Sequence, residues 1–411
     1  MRRFASLLTL REEFALPVPL KSDVSIRYFM LEGGIFLRVI RLFFILILLM
    51  VLLPSVVRAE EPIITADAAI LIEATTGRVL WEKEGEARHY PASMTKMMTT
   101  ILLLENIDPA EEIFISPQAA MTENTSLGIK AGERLTAKEL TTGMMMVSDN
   151  GAAVAIAEAM DGDTATFAKR MNAKAKEIGM ENTNFVNPNG LTDPNHYSTP
   201  HDIARLARYA MENDDFRQIV QREKETIYWS YPNGRFKNVI NTNELLGNYE
   251  GITGVKTGWT NAAGGCLTAS AKRNGLKLIA VVMHSKTEED RFSDMRKILD
   301  YGFQHVHMVH GFSKEELSRR IFIVDGRMGT TVARPIEDVE YPLMDGEDPS
   351  HCSIAYDAPR IVTAPVSGKD VGKVIIKYDD KPVGSVALHS ERVEEGFSIG
   401  SFLVSVFGWM L

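Results

Sequence analysis

Val255-Lys-Thr-Gly258, Cys266-Leu-Thr-Ala-Ser-Ala271 and Leu276-Lys-Leu-Ile-Ala-Val-Val-Met283 are three strand-length segments set close together. Asn274-Gly275, between the last two, is a two-residue hairpin signal, because both residues tolerate positive φ. The stretch predicts an antiparallel meander. Far upstream, Ala68-Ala-Ile-Leu-Ile72 and Val79-Leu-Trp81 read as two more strands, joined through Thr75-Thr-Gly-Arg78. The segment between these groups has helical spacing. Pro91-Ala-Ser93 opens a helix in which Met94, Met97, Met98, Ile101 and Leu102 recur as core positions. Thr136-Ala-Lys-Glu139 is a capping box ahead of Leu140, Met144 and Met145. Thr199-Pro-His-Asp202 supplies a cap, a proline at the first helical position and an acid in the first turn. Glu288 to Phe303 places Phe292, Met295, Ile298, Leu299 and Phe303 on one face of a closing helix. Strands, helices, then strands is an α+β order, with an antiparallel sheet whose first and last strands come from opposite ends of the domain.

The 411 residues suit two domains of unequal size, and a hydrophobic content of 45% supplies an ample core. At the amino end, Arg38 and Arg41 precede an apolar run from Leu42 to Val57, followed by Val57-Arg-Ala59. Charged, apolar and small residues in that order predict a signal peptide cut after Ala59. Residues 1–59 are therefore read as lying outside the fold, with Met30 an alternative start. This segment holds eight basic and four acidic residues. Taking its +4 from the whole-chain −9 leaves −13 on the remainder, a poor balance for nucleic-acid binding. Cys266 and Cys352 are expected to be buried free thiols. The α+β domain is assigned to 60–305, and the alternating segments of 311–395, with a turn at Lys381-Pro382, to a small all-β domain. Residues 397–411 carry no charge and read as a shallow membrane-associating segment. His305, His307 and His310 near the junction lack a ligand pattern, so no metal is expected there.

Three strings carry the chemistry: Ser93-Met-Thr-Lys96, Ser148-Asp-Asn150 and Lys256-Thr-Gly258. Each alone is a weak signal, but ordered matches to all three arise by chance in about a few chains per hundred. A serine hydroxyl needs a base within hydrogen-bond reach, and on a helix Lys96 lies one turn from Ser93 on the same face. Lys96 serves as base only when uncharged. Burial and a second cation, for which Lys256 is the candidate, would lower its pKa. The Ser93 N–H near a helix amino end and the Trp259 N–H are candidate oxyanion donors. Ser148 can relay a proton to a leaving amine, and Asn150 can hold both Lys96 and a substrate amide. Lys256 and Gly258 share one face of their strand, and Gly258 removes bulk where a substrate backbone would lie.

With these residues in place, the chain resembles the low-molecular-mass penicillin-binding D-alanyl-D-alanine carboxypeptidases. The resemblance spans nearly all of the chain after Ala59. It includes the opening hairpin, Pro91-Ala-Ser-Met-Thr-Lys96, Ser148-Asp-Asn150, Asn189-Gly-Leu191 and Gly254-Val-Lys-Thr-Gly258. It implies a penicillin-recognising, transpeptidase/β-lactamase-like domain with a helical subdomain, then the β domain. It also implies attack by Ser93 on a terminal D-Ala-D-Ala bond of peptidoglycan stem peptides, with Lys96 as base. Ser148, Asn150 and Lys256 would relay protons and position the substrate, and Thr257 would sit near its carboxylate. β-Lactams are the implied covalent inhibitors, the outer face of the cytoplasmic membrane and the cell wall the implied location, and no cofactor is called for. Two departures stand out. The middle string reads Ser-Asp-Asn where many carboxypeptidases have Ser-Gly-Asn, and Asn241-Thr-Asn243 lies where some relatives carry a basic residue. The alternatives are a D,D-endopeptidase, a class A-like β-lactamase and a non-catalytic wall-binding protein. The lactamase reading lacks the expected E-x-x-L-N string, as Glu244-Leu-Leu-Gly-Asn248 fails at its fourth position.

Overall fold

The computed structural model describes Phe43 and residues 60–324, 328–362, 368–391 and 394–395. Every strand and helix from Ala68 onward belongs to one compact unit, Ala59–Leu411. The signal peptide expected over 1–59 and the membrane-associating segment expected over 397–411 lie outside the described residues.

Ala68–Glu73 (β1) and Val79–Lys83 (β2) form the opening hairpin. A 3-10 turn, Ala92–Thr95, runs into Lys96–Asn106 (α1). The middle is helical: Pro117–Met121 (α2), Ala137–Val147 (α3), Asn150–Asp161 (α4), Thr164–Glu177 (α5), Pro200–Met211 (α6) and Asp214–Val220 (α7). It also holds two small antiparallel pairs: Glu112–Phe114 (β3) with Arg134–Thr136 (β4), and Lys224–Tyr228 (β5) with Phe236–Ile240 (β6). Ile252–Thr260 (β7), Gly264–Arg273 (β8) and Leu276–Ser285 (β9) are the predicted meander, and Glu288–His305 (α8) follows. Asn274 and Gly275 join β8 to β9 at φ 46° and 85°, the positive values a type I′ turn requires.

The sheet runs β2-β1-β9-β8-β7 and is antiparallel throughout, so β1 from the start of the domain lies beside β9 from its end. Side-chain alternation then builds two cores. Ile70, Ile72, Ile279 and Val281 face the helical middle, while Ala69, Leu71, Leu278 and Val282 face α8. Met295, Ile298 and Leu299 of α8 are fully buried there, each contributing about 1.5–3 kcal/mol relative to exposure. The caps form at the expected residues: Thr136 accepts from Glu139 N and Thr199 from Asp202 N, each at 3.2 Å. The Glu139 carboxylate, however, accepts from Tyr228 N at 3.0 Å, so it ties α3 to β5. Buried Asp294 of α8 closes the domain by accepting from Thr65 N (3.0 Å), Thr65 Oγ1 (2.9 Å) and Ala66 N (2.9 Å).

Beyond α8 come Val306–Phe312 (β10), Arg319–Val324 (β11), Met328–Arg334 (β12), Val339–Met344 (β13), Cys352–Asp357 (β14), Ile361–Val362 (β15), Asp370–Tyr378 (β16), Lys381–Ser390 (β17) and Glu394–Glu395 (β18). β10 pairs with β13; the others form one sheet, β14-β16-β17-β12-β11-β15, with β18 against β12. They enclose a core of their own around Leu317, Ile321, Val374 and Leu388. The turn expected at Lys381-Pro382 falls instead at Asp379-Asp380, both at positive φ, and Lys381 already pairs with Tyr378. Aspartate tolerates the left-handed region because its short side chain bonds locally, and Pro382 sits where the ladder slips register. Arg78 bridges the two parts through Pro342 O (2.7 Å) and the Glu347 carboxylate. His305 and His307 share Asp345 at 2.7 and 2.6 Å, and His310 pairs with Glu340 at 3.2 Å. Both cysteines are free, but only Cys266 is fully buried; Cys352 is half-buried in β14. Among the described residues, no helix is long and apolar enough to cross a membrane.

Candidate active site

Ser93 sits in the 3-10 turn before α1, and half of its surroundings are fixed by strain and close packing. The residue before it, Ala92, is buried at φ 47°. Gly190, at φ 88°, lies so close that a Cβ there would fall 1.8 Å from Ala92 O. Only glycine allows that approach, which explains the Asn189-Gly190-Leu191 string. From below, His196 accepts Val186 N at Nδ1 (3.1 Å), which leaves its Nε2–H to donate to Thr95 Oγ1 (2.8 Å). Burial holds this imidazole neutral by pushing its pKa down to about 4, so it acts as a strut for the turn.

Lys96 is fully buried, and its Nζ lies 2.7 Å from each of three oxygens: Ser93 Oγ, Asn150 Oδ1 and Asn189 O. Two of these only accept, since the Asn150 amide is oriented by its Nδ2 donating to Glu123 O at 3.0 Å. A neutral amine has two N–H bonds and one lone pair. With both N–H bonds spent on Asn150 and Asn189, the lone pair faces the Ser93 hydroxyl. Burial lowers the Lys96 pKa to about 7, with Asp149 opposing. Of the two causes expected from sequence, burial is the one that acts on Lys96, and Lys256 is not among the groups that shift it. In the fold, burial dominates at both lysines; Lys256 is pushed well below its ordinary value by burial first, then by Lys96 and Arg291. Lys256 is itself buried and donates to Thr257 O at 3.0 Å.

The middle string gives each residue a separate task. Ser148 ends α3 at φ 59° and ψ 37°, a strained conformation for serine that turns it into the cleft. Asp149 caps α4 by accepting from Ala152 N (2.7 Å) and pins the facing loop by accepting from Leu127 N (2.6 Å). The aspartate that departs from Ser-Gly-Asn thus holds two pieces of backbone together. Its pKa is nevertheless raised by burial, against the pull of those N–H groups and of Lys96.

On the opposite wall, β7 is the edge strand, so one side of its backbone is open to the cleft. Thr257 Oγ1 bonds Thr242 Oγ1 at 2.6 Å, and a Cβ on Gly258 would come within 3.1 Å of Ser93 N. Ser93, Ser148, Asn150, Thr257, Gly258 and Trp259 all line one cleft of about 790 Å³, with Lys96 and Lys256 buried behind it. The structure thus gathers all eight expected residues. It adds one that the sequence reading missed. Arg291 of α8 is buried, donates to Gly258 O at 3.0 Å and reaches the cleft wall, where its Nε has no partner among the described residues. It brings a buried guanidinium to a cleft wall in which the 241–243 stretch places only Thr242. Arg291 follows Glu288 by three positions on the closing helix, a spacing that reads as an ordinary surface ion pair. Glu244 and Asn248 do not line the cleft.

The D-alanyl-D-alanine carboxypeptidase family, Peptidase S11, matches residues 55–287. The chain belongs to that family. It is 31% identical over 355 residues to the D-alanyl-D-alanine carboxypeptidase DacF of Bacillus subtilis, covering 83% of this chain and 89% of that one. Penicillin binding protein 5 from Haemophilus influenzae superposes with a TM-score of 0.64 at 26% identity, over 82% of this chain and all of its own. The DD-transpeptidase of Streptomyces K15 superposes at 0.57 with 30% identity, over 60% of this chain and 99% of its own. The α+β fold expected from sequence is the fold of these structures, and this carboxypeptidase is accordingly a serine peptidase.

Proposed function

We propose that this carboxypeptidase hydrolyses the D-Ala-D-Ala bond closing peptidoglycan pentapeptide stems through an acyl-enzyme on Ser93. The observation that carries the reading is the three-way contact of Lys96, which leaves a lone pair for the Ser93 proton. Ser93 Oγ attacks the penultimate D-Ala carbonyl as its proton passes to Lys96, and the oxyanion lies toward the N–H groups of Ser93 and Trp259. Ser148 relays a proton to the leaving amine, and free D-alanine departs. Asn150 holds the amide ahead of the scissile bond; Thr257, Lys256 and Arg291 attract the terminal carboxylate, and Gly258 keeps the wall flat for the substrate backbone. Water then adds to the ester carbonyl and restores the Ser93 hydroxyl, releasing the shortened stem. A β-lactam would stop at the ester stage. In this reading residues 1–59 export the chain, 60–305 carry the reaction, 311–395 form the β domain, and 397–411 associate with the outer face of the membrane.

The direct test is D-alanine release from a peptide ending in Lys-D-Ala-D-Ala, beside covalent labelling by a fluorescent penicillin. Both are expected, and both should vanish in Ser93→Ala. Release that persists in Ser93→Ala, or a folded wild type that accepts neither compound, would overturn the assignment.

A further inference from the structure

The β5–β6 hairpin turns an apolar face to solvent right beside the cleft. A two-stranded hairpin is marginal by itself, so its attachment matters. Ile227 and Val239 on the inner face are buried in the helical core. Trp229, just past β5, donates Nε1–H to Glu133 at 2.9 Å, and Arg235, just ahead of β6, pairs with the same carboxylate while stacking on the Trp229 ring. Lys237 donates to Ser126 O at 2.6 Å, and Ser126 lines the cleft. The chain leaving β6 reaches Thr242, also in the cleft wall, after two residues. The hairpin is a fixed extension of that wall.

Its outer face is built in three rungs. Tyr228 pairs with Phe236, their rings 6.2 Å apart, and the two are 57% and 60% exposed. Thr226 pairs with Asn238 and donates its hydroxyl to Oδ1 at 2.9 Å, which leaves the Asn238 amide N–H groups free for a ligand. Ile240, 67% exposed, pairs with Lys224. Large exposed side chains gathered on one rigid face mark an interaction surface.

We propose that this face is a docking platform for the glycan strand that carries the stem peptide. Sugar rings have an apolar C–H face that rests on an aromatic ring, and their hydroxyl and N-acetyl groups pair with an amide. The outer rung supplies the rings and the middle rung the amide. A protein partner would call for a wider apolar core than one aromatic rung interrupted by Thr226 and Asn238. The wall continuity also favours the glycan, because the polymer and the peptide it carries must approach together. The platform would raise the local concentration of stems and leave the chemistry untouched. The inference rests on the carboxypeptidase reading for its substrate polymer.

The test compares the full chain with Tyr228→Ala/Phe236→Ala and with Asn238→Ala. D-Alanine release is measured from pentapeptide-bearing wall sacculi and from the soluble Lys-D-Ala-D-Ala peptide. The double variant should lower kcat/KM on sacculi by about tenfold and Asn238→Ala by about threefold, the loss of a few central contacts. Both should keep the soluble activity, which also reports that they are folded. The tetramer of N-acetylglucosamine should shift amide resonances of wild type saturably and not those of the double variant; this readout does not need turnover, so it stands apart from any failure of the carboxypeptidase reading. An equal loss on both substrates, an unchanged rate on sacculi, or a wild-type dimer that the double variant dissolves would each overturn the proposal.

Discussion

At the residue scale, the reactivity of Ser93 depends on one amine being kept out of water. Lys96 has its pKa lowered to about 7 by burial, so it is the free base above that pH and an ammonium below it. Acylation of Ser93 by a β-lactam should therefore fall by about tenfold per pH unit below 7 and level off above it. The second-order acylation rate measured across pH 5–9 checks this, and a rate independent of pH would contradict it. The same shift bears on stability. Between about pH 7 and the ordinary lysine value of 10.5, the unfolded chain holds a proton that native Lys96 has lost, so this group's contribution to stability grows as pH rises through that window. The amine was recognisable in sequence because S-x-x-K places it one turn from the serine. Its third partner, Asn189 O, was not. A backbone carbonyl leaves no mark in residue type, and it comes from 93 positions away.

At the element scale, the turn bearing the nucleophile is held by a loop pressed onto it as well as by its own backbone hydrogen bonds. Gly190→Ala would force a Cβ into Ala92 O from a left-handed backbone, so one of the two segments has to move. The expected cost is about 3–5 kcal/mol, at the severe end for a single substitution, with a matching loss of penicillin labelling. Thermal melting alongside the labelling assay tests this; an unchanged melt would show that the loop yields freely. Elements with strong local signals were the most legible. The meander announced itself through Asn274-Gly275, and α3 and α6 through Thr136 and Thr199. Signals shared between two outcomes misled. Lys381-Pro382 looks like a turn, yet the adjacent Asp379-Asp380 takes the positive φ values and the proline falls at a bulge. Arg291 was lost for a related reason: from sequence it is one more charge on an amphipathic helix, and only the path of α8 past β7 brings it to Gly258.

For the whole molecule, the two sheets have separate cores, joined through contacts such as those of Arg78 and Asp345. The Streptomyces K15 structure matches over 60% of this chain and nearly all of its own, so a related chain keeps this fold without an equivalent of the rest. A chain stopped at Phe312 should accordingly release D-alanine from the soluble peptide with kcat/KM within about threefold of the full chain, as cleft and β domain share no lining residue. A stopped chain that folds but loses this activity would place the β domain in the reaction. Domain order was readable from the change in texture after α8. The contacts across the junction were not: Arg78 meets a backbone carbonyl as well as a carboxylate, and Met308 and Met344 pack on the α8 core, pairings that residue type alone does not reveal.

The Asp294 clamp has a mechanical meaning. Ala68 lies opposite Met283, so the chain enters β1 and leaves β9 at the same end of the sheet. Tension between that entry and the closing helix would open the β1–β9 ladder one rung at a time, the geometry in which a strand pair resists force least. The three hydrogen bonds from Thr65 and Ala66 to Asp294 stand directly ahead of the first rung. They take up the load before the sheet feels it, as a stitch locks the end of a seam.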